Sequence, residues 1–200
     1  MKNLLSLGWI TSITFIFGTF IFGGLLEDYS FVSQTVSEIG EKGSTLVLEW
    51  QIFSMIIGIF LVIFSIGIIS FARGNKLSFI PGIFILFTGF SEFGIAFFPS
   101  PHQLHNVIGL SMTVGYFSPL MFFLLWKDKL GIPFRRFSLI VFILVILGIF
   151  LNLTPAFAPT LYPLKYYGFV QRFLLFTFYI YIAYIGIQTT SHQKNLYNFP

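Results

Sequence analysis

The sequence predicts an all-α integral membrane protein, a single bundle of six transmembrane helices with N- and C-termini in the cytoplasm. Three observations predict it. Of 200 residues, 56% are hydrophobic and only 9% are charged; a soluble domain carries roughly 25% charged residues, so water cannot solvate most of this surface. Six apolar runs reach the roughly 20 residues that a helix needs to cross a hydrocarbon core. None of the runs alternates as a barrel strand does, and an open strand cannot satisfy its backbone in lipid.

The spans lie near 6–26, 50–72, 78–98, 105–126, 137–156 and 168–189. The first follows Lys2 but is too long for a signal core, and no small-residue cleavage site precedes Glu27 and Asp28, so it is expected to be a retained span. Orientation follows from the basic residues of alternate loops. Lys2, Arg73, Lys76, Lys127, Lys129, Arg135, Arg136 and Lys194 fall on one side, against Lys42, Lys165 and Arg172 on the other. The richer side is cytoplasmic. The loop at 27–48 and the two proline-containing turns, FPSP and TPAFAPTLYP, then face outward.

That 27–48 loop holds most of the acidic residues, counting Glu49 at its edge. Val32, Val36 and Ile39 fall at i, i+4 and i+7, with Gly40 as a stop, which predicts a short amphipathic helix on the membrane surface or folded over the bundle as a cap. The net charge of +4 is spread over short loops and is no nucleic-acid footprint, so no nucleic acid is expected as a partner. Cysteine is absent, which excludes disulfides, thiolate nucleophiles and thiolate-bound metals. No cofactor is expected.

Polar residues within the spans are few and one-sided. Ser54 with Gly58, and Ser111 with Gly115, are small pairs at a spacing that lets helices pack closely. In the third span Thr88, Gly89, Glu92 and Ala96 share one stripe, while Phe87, Phe90, Phe93 and Phe97 cover most of the rest. A phenylalanine surface suits acyl chains, so the Glu92 stripe is expected to face the interior. Glu92 then lies about 9 Å below the outer end of its span, taken at Phe98. A charge at depth costs about 2.5–3.5 kcal/mol on insertion scales, so it must be paired, protonated or wet. His102, His105 and Asn106 open the fourth span, whose stripe continues through Gly109 and Thr113. Gly168, Gln171 and Arg172 open the sixth, Gln51 and Ser54 the second, and Asn152 and Thr154 lie near the outer end of the fifth.

This one-sidedness points to a polar pocket in the outer half, with Glu38, Glu92, His102, His105, Asn106, Gln171 and Arg172 as candidate ligand-binding residues. Each has an alternative. Glu92 is a proton-binding carboxylate or the ion-pair partner of Arg172. Arg172 receives a phosphate or carboxylate through its planar fork, or serves as that counter-ion. His102 and His105 are metal ligands at i, i+3, with Glu92 or Glu38 as third, or interfacial hydrogen-bonders; no full ligand motif accompanies them, and no metal is expected. The whole cluster is a site, or a structural pin in which Glu92, Arg172 and the histidines satisfy each other. Tyr162, Tyr166, Tyr167 and Trp50 read as interfacial aromatics.

Three short signatures are familiar. Ser37-Glu38-Ile39-Gly40, Phe98-Pro99 followed by His102 and His105, and Gly168 with Gln171-Arg172 occur in an order that resembles domain-of-unknown-function family 998, small six-span prokaryotic membrane proteins. The resemblance covers nearly the whole chain and implies the six-span fold; the family carries no assigned activity. Ser100 departs from it, standing in the turn where an acidic residue is expected nearby. A looser likeness to the DRAM-like and Frag-like membrane proteins favours membrane lipid as partner.

Three functions follow as expectations. The first is binding of a lipid headgroup or other amphiphile in the pocket. The second is an intramembrane hydrolase or lipid-modifying enzyme using Glu92, His102 and His105, with Glu92 and His105 as catalytic candidates; no serine elbow or H-E-x-x-H helix accompanies them. The third is a proton-coupled transporter carried by Glu92, for which six spans suffice as a homo-oligomer but against which the apolar inner half argues.

Overall fold

A computed structural model describes residues 2–126 and 130–197. Lys127 and Lys129, counted for orientation, lie outside the described residues, as do the side chains of Lys2 and Lys194. The described chain is all helical, without strands: α1 (Lys2–Leu25), α2 (Val47–Gly74), α3 (Ile80–Ile95), α4 (Gln103–Gly115), α5 (Ser118–Leu125), α6 (Ile132–Phe157) and α7 (Tyr167–Tyr197). α1, α2, the α4–α5 pair, α6 and α7 are long and apolar enough to span a membrane, and α3 is a shorter apolar helix. This is a multi-pass membrane protein. The loops at 26–46, 96–102 and 158–166 share one end of the bundle, here the loop end.

Two of the predicted spans are modified. The fourth is not continuous: it breaks at Tyr116–Phe117, and Pro119 occupies the first turn of α5. A proline there lacks the N–H that would bond the Gly115 carbonyl, and its ring crowds that carbonyl, so the helix restarts rather than continues. The third span is shorter than predicted, and its last turn tightens, with Phe97 N–H on the Gly94 carbonyl (3.2 Å) and Phe98 N–H on that of Ile95 (3.1 Å).

The helices form a ring. α3 packs on α2, α2 on α1, α1 on α7 and α7 on α6, and α5 closes the circle between α6 and α3. α4 leans along α3 and does not pack along α6. The ring is therefore closed at one end and parted between α4 and α6 at the loop end.

Close approach rather than hydrophobicity holds spans together in lipid. A Cβ on Gly58 would lie 2.8 Å from Phe93 Cα, so α2 and α3 meet backbone to backbone there. Ser91 and Ser111 hydroxyls pair at 2.9 Å between α3 and α4. Away from the loop end the ring is filled by Phe64, Phe71, Phe122, Trp126, Phe134 and Tyr181, all fully buried. Trp126 Nε1 donates to the Ser78 carbonyl (2.8 Å) and Tyr181 to Ser138 Oγ (2.7 Å), so the polar edges of two of these aromatics are satisfied.

Candidate functional site

The loop after α1 folds over the bundle as a lid. Its only helical piece is a single 3-10 turn, Val36–Gly40, shorter than the predicted amphipathic helix. Val36 and Ile39 are buried and plug the bundle, but Val32 is exposed. The expected apolar stripe thus reduces to two residues, because a 3-10 turn repeats every three residues. Gly40 is small because a Cβ would strike the Trp50 indole. Glu38 turns back on the start of this turn, its carboxylate accepting from the Thr35 N–H and from Thr35 Oγ1 (2.8 Å), the acidic half of a capping box.

Arg172 fastens the lid. Buried at the start of α7, it donates to the carbonyls of Phe31 (2.8 Å), Gln34 (2.7 Å) and Gly168 (3.1 Å), and to the Tyr29 hydroxyl. Its guanidinium also lies against the Tyr29 and Phe31 rings. Burial raises the Tyr29 phenol above its usual range although Arg172 pulls it down, and the neutral hydroxyl donates to the Thr35 carbonyl (2.6 Å). The first backbone N–H groups of α7 are capped by the lid: Gly168 donates to Ser33 O (3.2 Å) and Phe169 to Val32 O (2.9 Å). A Cβ on Gly168 would strike the Gln34 backbone, so only glycine admits this approach. Gln171 Oε1 accepts from Val36 N–H (2.6 Å). A second tether, Lys42 N–H to the Ser100 carbonyl (2.7 Å), joins the lid to the α3–α4 turn.

These contacts correct two expectations. Arg172 is neither the counter-ion of Glu92 nor a group in the cavity wall, because its Nη1 and Nη2 are held by the Phe31, Gln34 and Gly168 carbonyls and the Tyr29 hydroxyl. His102 is exposed outside the cavity; its Nδ1 accepts from Leu104 N–H (3.1 Å) and caps α4. The alternative of a His102–His105 metal centre also loses its third ligand: no group of three or more metal-ligating side chains gathers among the described residues.

Beneath the lid lies a cavity of about 650 Å³. Glu38, Glu92, His105, Asn106 and Gln171, all singled out from the sequence, line it. The α4 wall is one face, Asn106, Gly109 and Thr113 recurring every three or four residues with His105 beside Asn106, and Tyr116 at the C-cap continues it. Facing it are Ser54, Asn152, Tyr167 and Gln171 from α2, α6 and α7. Trp50 and Tyr167 belong to this wall rather than to an interfacial belt. Phe15, Glu41 and Tyr116 are additional lining residues that no motif marked. Tyr116 was detectable as the continuation of the His105 stripe.

Glu92 is only 7% exposed and makes no hydrogen bond or ion pair among the described residues. Its stripe is interior, with Thr88, Gly89 and Ala96 buried and Phe87, Phe90 and Phe97 exposed. The structural pin of Glu92, Arg172 and histidines is therefore absent. His105 Nδ1 lies 2.7 Å from the Phe98 carbonyl. A carbonyl only accepts, so Nδ1 carries the proton and a neutral ring keeps its Nε2 lone pair. The cavity reaches the lipid-facing surface where the ring parts: Leu110 of α4 and Leu153 of α6 both line it and are 57% and 43% exposed.

Neither a curated protein nor a solved structure matches this chain. One family does, over residues 10–188, under the description "Protein of unknown function (DUF998)". With a match across almost all of its length, the chain belongs to that family.

Proposed function

We propose that the protein binds a membrane amphiphile, with the polar head beneath the lid and the chain leaving between α4 and α6 into the bilayer. One observation carries this reading. A buried carboxylate without a protein partner, Glu92, stands in the wall of a cavity whose rim, Leu110 and Leu153, is apolar and exposed. An unpartnered ionisable group at depth is costly, and a ligand that supplies the missing partner offsets that cost. The volume suits a headgroup with its first methylenes, since small-molecule sites span about 300–1,000 Å³. The aromatic packing below favours binding over a through-going path. Glu92, His105 and Asn106 contact the head in this reading, and the lid faces the extracytoplasmic side.

The test is mass spectrometry of amphiphiles retained by the purified protein. Wild type retains a defined species. Thr113→Trp, which fills the cavity from α4, loses it while keeping its thermal unfolding midpoint. An identical retained profile in the two proteins would contradict the proposal.

A further inference from the structure

We infer that the amphiphile carries a primary ammonium head. This rests on the binding reading above and names its ligand class. The cavity wall contains three carboxylates, Glu38, Glu41 and Glu92, and no lysine or arginine. Arg172, the nearest candidate for an anion receptor, is withdrawn into the lid clamp. The cavity therefore disfavours a phosphate, sulfate or carboxylate head, because an anion would stand among like charges with no cation to offset them.

The hydrogen-bond inventory points the same way. Carboxylates are acceptors when ionised, and His105 with its Nδ1 proton given to Phe98 offers only the Nε2 lone pair. A ligand that brings donors meets these acceptors, and the Asn106 and Gln171 amides beside them leave the carboxylate charge of the wall unbalanced. An ammonium group brings three N–H donors and a positive charge, and bonds of this charged kind are about twice as strong as neutral ones. Glu92 is the anchor, since its carboxylate is buried, faces the cavity and is otherwise unmatched. Phe15, Trp50 and Tyr116 add aromatic rings to the same wall, surroundings that tolerate a cation better than aliphatic ones do. The rim at Leu110 and Leu153 makes a membrane-borne amine the fitting source rather than a soluble one.

The experiment uses the full chain in phosphatidylcholine vesicles and the emission of Trp50, isolated by subtracting a Trp50→Phe variant. Three probes share a dodecyl chain brominated near its head and differ in that head: ammonium, hydroxyl or sulfate. The ammonium probe is expected to quench Trp50 saturably and at least about tenfold more tightly than the other two. In Glu92→Gln this preference disappears. Ethanolamine, a head without a chain, competes at least about tenfold more weakly than the ammonium probe. Equal saturable quenching by all three probes overturns the ammonium inference and leaves amphiphile binding standing. Saturable quenching by none overturns both. Competition by ethanolamine as strong as that of the chain-bearing probe overturns the membrane-borne source. The comparison of the three heads on the wild-type protein decides head selectivity whether or not Glu92→Gln folds, with Trp50→Phe serving only as the emission blank.

Discussion

Glu92 and Arg172 have opposite fates, and the contrast explains what single residues can reveal. Glu92 advertised its position, because the phenylalanines beside it leave one small and polar face for the interior. Arg172 did not, because the lid carbonyls it binds lie in the chain 138 and 141 residues earlier. Only the folded lid brings them within reach. Two predictions belong here. Glu92→Gln removes a group that costs about 2.5–3.5 kcal/mol when charged at depth, so the empty protein should unfold in detergent at the same or a higher temperature. A drop of many degrees would make Glu92 a structural pin after all. Arg172→Lys should cost about 2–4 kcal/mol, the scale of several bonds from a buried cation. Its signature is not only a lower midpoint but faster proteolytic nicking in the 27–46 loop, and unchanged nicking would speak against the clamp.

Prolines decide much at the scale of elements. Pro119 ends the continuity of the fourth span, which hydropathy alone renders as one helix, and so lets α5 pack on α6 while α4 stays with α3. Pro155 inside α6 cannot bond the Leu151 carbonyl, and Tyr162 supplies the missing donor at 3.1 Å. This role of Tyr162 is not legible in the sequence, since the two residues meet only after the chain turns back beyond α6. Tyr162→Phe should destabilise by about 1 kcal/mol, measured by thermal unfolding in detergent. The parting of α4 from α6 can be tested by covalent closure. The chain has no cysteine, so Leu110→Cys with Leu153→Cys joined by a bismaleimide should block amphiphile exchange, while the unjoined pair exchanges freely. Exchange at equal rates would place the entrance elsewhere.

For the whole molecule, composition alone declared an all-helical membrane protein, because solvation by lipid leaves no other backbone solution. Five of the seven candidate ligand-binding residues line one cavity, drawn together because polar groups in a membrane interior converge where lipid is excluded. The ring that parts at one end was not legible. It depends on which helices neighbour which, and near-uniform apolar faces carry little of that information. Eight of the eleven basic residues sit on the side expected to face the cytoplasm, so fusions at both termini should report a cytoplasmic location. A split result would reverse the side from which the lid is reached. The most direct measurement is an experimental map of the protein in a lipid phase. It should contain headgroup density within about 3 Å of Glu92, continuing as a chain between Leu110 and Leu153. A cavity holding water alone, with α4 closed against α6, would contradict the account.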